Sequence, residues 1–74
     1  MKRLNQLNDG EECKIVRIEN ADLKKYLYSL GIGEGTKIKR QRASPLKSPI
    51  MYFAKGTSLA LRYCDSELIE VEPI

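Results

Sequence analysis

Residues able to do covalent or metal chemistry are few in this chain and poorly spaced for it. No histidine occurs, so there is no imidazole base and no Ser-His or Cys-His nucleophile pair. Cys13 and Cys64 are the two cysteines. A disulfide between them would add roughly 4 kcal/mol in the chain-entropy account but would not persist in a reducing cytosol. Two separate, partly buried thiols are expected. Cys64 stands beside Asp65 and close to Glu67, a thiol with two carboxylates that could assist a transition metal. One thiol with exposed carboxylates is a thin ligand set, and no metal site or cofactor is expected from it. The glycines of Gly31-Ile32-Gly33-Glu34-Gly35 have the look of a phosphate loop, but no Lys-Ser/Thr pair follows and they open a basic strand rather than a helix. Backbone geometry is the better reason for them. Nothing here assembles an active site, and the chain is not expected to be an enzyme.

What remains is binding through a surface, and charge is the first guide. The formal net charge is only +3, yet its distribution is uneven. Lys37, Lys39, Arg40, Arg42 and Lys47 follow one another with no acid among them, and Asp65, Glu67, Glu70 and Glu72 with no base. Two neighbouring strands of opposite charge that pair across a sheet are one explanation, each pair being worth roughly 0.2–1 kcal/mol. A basic surface for a partner is the other. Tyr52 and Tyr63, if close to the basic strand, would supply the stacking platforms of an oligonucleotide-binding barrel. The low aromatic content and the acidic C-terminal strand argue against that alternative.

The elements that must carry these residues are short. With 74 residues, 42% hydrophobic and 31% charged, the chain has an ordinary globular composition and reads as one domain, residues 1–74. At this size folding buries only about 60–65% of the surface exposed in the unfolded chain. No apolar run approaches the ~20 residues of a membrane helix. Asn5, Gln6, Asn8 and Asp9 stand where a signal peptide would need apolar residues. A cytoplasmic protein is expected.

The one clear helix begins at Ala21. Leu23, Tyr26, Leu27 and Leu30 recur at i, i+3, i+4 and i+7 and define its apolar face, with Lys24, Lys25 and Ser29 off it. Asn20 caps its start and Gly31 ends it. Around it lie short strands, at Glu11 to Ile18, Thr36 to Ala43, Ile50 to Ala54, Thr57 to Arg62 and Leu68 to Glu72. In the first, Lys14, Val16 and Ile18 share one face and Cys13, Ile15 and Arg17 the other, which suggests partial cover on both sides. Leu4 and Leu7 form an apolar clip ahead of the Asn8-Asp9-Gly10 turn, Ser44 to Pro49 is a proline-bracketed loop, and Lys55-Gly56 is a hairpin turn. One helical turn is expected at Asp65 to Glu67. The reading is mainly β: about five strands with a helix inserted after the first, closed or partly closed into a small barrel.

The ordered set of Leu30-Gly31 with Gly35, Pro45-Leu46, Pro49-Ile50, Leu59-Ala60-Leu61-Arg62, Asp65, Ile69 and Val71 resembles the FeoA family. That resemblance runs from Leu4 to Val71. It implies an SH3-like barrel and a non-catalytic, cytosolic accessory role in bacterial ferrous iron uptake. The implied partner is the cytosolic GTP-binding region of a FeoB-type transporter, which would bring the chain to the membrane indirectly. No small-molecule substrate is implied. Lys24, Tyr28, Leu46, Lys47 and Arg62 are the expected partner-binding residues. The plainer alternatives are that Tyr28 packs on the barrel and that Arg62 pairs with Glu70 or Glu72. Two departures from the family pattern stand out. Lys47-Ser48 replaces Gly-Asp, and Glu34 replaces a proline, which would loosen the turn before Gly35. Weak self-association through free strand edges is the oligomeric expectation.

Overall fold

The computed structural model describes residues 2–42 and 49–74. The expected Ser44–Pro49 loop, with Leu46 and Lys47, lies outside the described residues apart from Pro49. Six strands form one antiparallel sheet: β1 (Lys2–Arg3), β2 (Glu12–Ile18), β3 (Lys37–Arg42), β4 (Ile50–Ala54), β5 (Thr57–Leu61) and β6 (Ile69–Pro73), in the spatial order β1-β6-β2-β3-β4-β5. Helix α1 (Ala21–Ser29) follows β2, and a four-residue helix α2 (Tyr63–Ser66) follows β5. A 3₁₀ turn occupies Leu4–Gln6. The mainly β reading holds, with one strand more than expected. Lys2 and Arg3 pair with Val71 and Glu70, so the N-terminal segment is an edge strand as well as a clip.

The inward residues of the longer strands join one apolar core. Cys13, Ile15 and Ile18 of β2, Ile38 of β3, Ile50, Tyr52 and Ala54 of β4, Leu59 and Leu61 of β5, and Ile69 and Val71 of β6 are all buried. Strand alternation sends the intervening residues outward. The sheet curls round this core, and the molecule measures 28 × 25 × 24 Å. Leu4 and Leu7 on one side and Leu23, Leu27 and Ile32 on another complete the cover.

Three expectations need correcting here. In β2 the register shifts between Ile15 and Arg17, a bulge that lets Ile18 turn inward with Cys13 and Ile15. The strand therefore buries one face rather than two. In α1 the buried residues are Leu23 and Leu27, with Leu30 partly buried, while Tyr26 is 49% exposed. The helix leans on the sheet through a narrow stripe that does not reach Tyr26. Finally, the acidic and basic strands are not neighbours. β6 inserts between β1 and β2, and its acids meet β2 cations: Lys14 Nζ lies 3.6 Å from Glu72 and Arg17 Nη2 lies 3.5 Å from Glu70.

Arg40 is the residue whose role the charge pattern concealed. It shares the inward parity of Ile38 on β3, and its side chain is only 16% exposed. Its Nη1 donates to the carbonyls of Leu7 and of Asn5, the latter at 3.3 Å, and its Nε lies 3.1 Å from Asp9 Oδ1. Its backbone carbonyl accepts from Gly10 N–H at 2.6 Å. These carbonyls at the end of the 3₁₀ turn have no intrahelical donor, and the guanidinium supplies one. The cation fastens the N-terminal segment to the sheet.

Candidate interaction surface

The surface is assembled where α1 stops. Asn20 Oδ1 accepts from Leu23 N–H at 2.9 Å and fixes the start of the helix. At its end Gly31 N–H donates to Tyr28 O (3.0 Å) and Ile32 N–H to Leu27 O (2.9 Å). With Gly31 at φ +79° this is a Schellman stop, and its accompanying apolar contact is the buried pair Leu27 and Ile32. The chain then reverses. Thr36 N–H donates to Gly33 O at 3.1 Å, and Gly35 takes the third position of the turn at φ +86°, as a type II turn requires. Gly35 N–H to Ile15 O (2.8 Å) and Ile15 N–H to Thr36 O (2.9 Å) pin the turn to β2.

Gly33 serves a different purpose from its two neighbours. Its φ is not positive, but a Cβ there would lie 2.8 Å from Tyr28 Cε1. The missing side chain makes room for the tyrosine ring. Tyr28 is half exposed, and its hydroxyl donates to Glu34 Oε1 at 2.6 Å. Lys24 Nζ lies 3.3 Å from Glu34 Oε2 and 5.6 Å from the centre of the Tyr28 ring. Lys24 and Tyr28 are one helical turn apart on the same face, so a single carboxylate gathers both. The Tyr28 hydroxyl, with help from Lys24, holds the Glu34 carboxyl below its usual range. The same carboxylate raises the lysine and the tyrosine.

Glu34 sits at the second position of the turn, where proline is common in type II turns. Where proline would stiffen the backbone, the glutamate ties the turn to α1 through its side chain. The expected loosening is therefore countered. Beside this group lies a shallow depression of about 430 Å³ lined by Tyr28, Gly31, Ile32, Gly33, Glu34, Thr36 and Lys55. Lys55 comes from the tip of the β4–β5 hairpin, where Lys55 and Gly56 both take left-handed backbone (φ 53° and 73°). That is the two-residue turn expected between Ala54 and Thr57.

Of the five expected partner-binding residues, Lys24 and Tyr28 stand together, and Glu34, Gly33 and Lys55 join them without having been singled out. Arg62 is elsewhere. It follows β5 at the end remote from Lys55, about 20 Å away at roughly 3.3 Å per residue. Its guanidinium binds Asp65 in a fork, Nε to Oδ2 at 3.0 Å and Nη2 to Oδ1 at 3.3 Å. Its acidic partner is thus Asp65, three residues on, rather than Glu70 or Glu72. Leu46 and Lys47 lie outside the described residues.

The other candidate chemistries are dispersed. Cys13 is buried and Cys64 exposed, and both are free thiols. Burial pushes the Cys13 thiol up to about 11. Asp65, the carboxylate next to Cys64, is already engaged by Arg62. Among the described residues no group of three or more Cys, Asp or Glu side chains is placed to hold a metal ion. Tyr52 is fully buried, its hydroxyl donating to Ser66 Oγ at 3.0 Å, so it cannot stack on a base beside Tyr63. No helix among the described residues is long and apolar enough to cross a membrane.

Residues 2–73 match the FeoA domain. The chain belongs to the FeoA family. It is 33% identical over 73 residues to a Fe(2+) transport protein A/Fe(2+) transporter FeoB fusion protein of Porphyromonas gingivalis. That alignment covers 97% of this chain and 9% of the relative, so the chain spans a small part of the curated relative it matches. The solution structure of the FeoA protein of Chlorobium tepidum is similar with a TM-score of 0.92 and 27% identity, over 99% of this chain and 70% of that one. The crystal structure of FeoA from Stenotrophomonas maltophilia complexed with zinc, described as an SH3 domain protein, gives a TM-score of 0.83 at 17% identity. It covers 97% of this chain and 91% of that one, and at this identity the likeness is one of fold. The expected SH3-like FeoA fold is the fold observed.

Proposed function

We infer that this FeoA-family chain is a non-catalytic accessory module of ferrous iron uptake that docks on the cytosolic GTP-binding region of a FeoB-type transporter. The observation that carries this reading is the Porphyromonas relative, in which a sequence like this one is joined to FeoB in a single polypeptide. A fusion holds two partners at high effective concentration, and a free-standing chain must reach the same surface by affinity. On this reading residues 1–74 act as one module in the cytoplasm, near the membrane only through the transporter. Among the expected residues, Lys24 and Tyr28 are favoured as contacts, because Glu34 holds them together beside the Gly31–Gly35 turn. An exposed tyrosine with a preset orientation loses little side-chain freedom on binding. Arg62, Leu46 and Lys47 are proposed as further contacts.

The test is an amide NMR titration with the transporter's isolated GTP-binding domain, repeated with a short RNA. Shifts gathered on α1 and the Gly31–Gly35 turn with the protein alone are the expected result. Replacing Lys24 and Tyr28 together by alanine should weaken binding and leave the fold intact, and so should replacing Leu46 and Lys47. Wild-type affinity in either pair removes that segment from the interface. Response to RNA alone would favour the nucleic-acid alternative.

A further inference from the structure

The convex face of β3, β4 and β5 has the composition of a second binding surface, separate from the α1 surface. Met51 and Phe53 point outward from β4 and are 37% and 40% exposed, large apolar side chains on the solvent side of the sheet. In register they are flanked by Ala60 and Ser58 of β5, both exposed. Lys39 of β3 lies directly opposite Phe53. Lys37, two residues back on the same face, lies directly opposite Lys14 of β2. Like charges facing each other across a ladder repel. Lys14 is answered by Glu72 at 3.6 Å, but Lys37 and Lys39 form no ion pair among the described residues. Lys39, Phe53, Gln41 and Gly10 also line a depression of about 480 Å³. Cations without an ion pair thus border an exposed apolar strip, and the nearest acid in register, Glu12 of β2 opposite Lys39, forms no ion pair with it.

From this the geometry points to a docking site for an acidic amphipathic helix of a protein partner, laid over Met51, Phe53 and Ala60 with its carboxylates along Lys37 and Lys39. The occupant follows from complementarity. The apolar floor is two strands wide, about 10 Å at the usual strand spacing, which suits a helix roughly 10–12 Å across. The cations form a rim on one side of that floor, so the acids belong on one flank of the helix, beside apolar residues at i, i+3, i+4 and i+7. A nucleic acid fits less well. Phe53 is the one exposed aromatic on this face among the described residues, too few for stacking successive bases. The site does not depend on the α1 surface being the transporter contact.

The experiment titrates the ¹⁵N-labelled full chain with three probes. The first is a helical peptide of about 14 residues with leucine at i, i+3, i+4 and i+7 and glutamate on one flank. The second carries lysine in place of glutamate, and the third is a short oligouridylate. The expected result is saturable amide shifts at Lys37–Gln41, Met51–Phe53 and Ser58–Ala60 with the glutamate peptide only. Phe53→Ser and, independently, Lys39→Glu should each weaken that binding about tenfold or more, in proteins whose remaining spectra are unchanged. Equal response to the lysine peptide, response to the oligouridylate alone, or silence of this face with the glutamate peptide would each overturn the proposal.

Discussion

The two sides of the β3–β4 ribbon are made from alternate residues of the same strands, and they use polar groups in opposite ways. On the concave side Arg40 is spent on the carbonyls of Asn5 and Leu7 and on Asp9, and the Tyr52 hydroxyl on Ser66. Ser66 passes the chain on by donating to Arg62 O at 3.1 Å. No buried side-chain N or O among the described residues lacks a partner. On the convex side Lys39 stands opposite Phe53, and neither Lys39 nor Lys37 is held in an ion pair among the described residues. The lesson is that residue type says little by itself here. Arg40 and Lys39 are adjacent in a basic run, and the parity of one residue makes the first a structural fastener and the second a free cation.

That contrast can be broken in several places, the largest effect coming from thiol chemistry. Cys13 faces the core, with its thiol raised from about 9 to about 11. At neutral pH its thiolate fraction is therefore about a hundredfold below that of an ordinary thiol. Burial slows reagents further. Alkylation followed by mass spectrometry should modify Cys64 quickly and Cys13 only on unfolding. Comparable rates would show that the concave side opens readily. The folded state favours the protonated Cys13, so its contribution to stability is complete below the ordinary thiol value. It is lost as pH rises through about 11.

Next in size is Arg40→Ala. Removing charged hydrogen bonds to otherwise unpaired carbonyls should cost about 2–3 kcal/mol in denaturant unfolding. Arg40→Lys should recover only part, because an ammonium cannot span the same acceptors. A cost near zero would mean that the N-terminal segment is held by Leu4 and Leu7 alone. Tyr52→Phe should cost about 1 kcal/mol, the worth of one neutral hydrogen bond. On the convex side Lys39→Ala and Phe53→Ser should change stability by no more than about 0.5 kcal/mol. Their effect is expected in binding instead.

The α1 surface lies between these extremes, exposed yet internally bonded. Glu34 has a lowered carboxyl, so its tether to Tyr28 and Lys24 is present above the ordinary carboxylate range. It is lost as pH falls through that lowered value. The Tyr28 ring resonances should hold steady down to the ordinary carboxylate range and move only below it. Tyr28→Phe should leave the ring on Gly33 and abolish that acid transition. Movement well above this range would show that the carboxylate does not hold the ring.

How much of this could be read from residue order depends on how far apart the interacting residues are. The Asn20 cap, the Gly31 stop and the Lys55-Gly56 hairpin depend on residues a few positions apart, and local rules suffice for them. Tyr26 was assigned inward because periodicity counts faces and does not know how wide the supporting sheet is. Simple alternation puts Ile18 on the face opposite Cys13 and Ile15 and suggests cover on both sides of β2, because a bulge at Val16 resets the alternation and has no signature in residue type. Glu34, Gly33 and Lys55 went unnoticed as surface partners of Tyr28 because the turn that unites them was read as backbone geometry alone.

Residue order alone carries the class of this protein: mainly β with one capped helix and without the residues for imidazole-based catalysis, both of which follow from composition and periodicity. The ordered short motifs add a resemblance to the FeoA family, and all of these are properties of the chain before it folds. Which charges are available is settled by the tertiary fold. It inserted β6 between β1 and β2, matched its acids to Lys14 and Arg17, turned Arg40 inward and left Lys37 and Lys39 outside. Charge pairing depends on distances across strands far apart in sequence, and those distances exist only once the sheet has chosen its order.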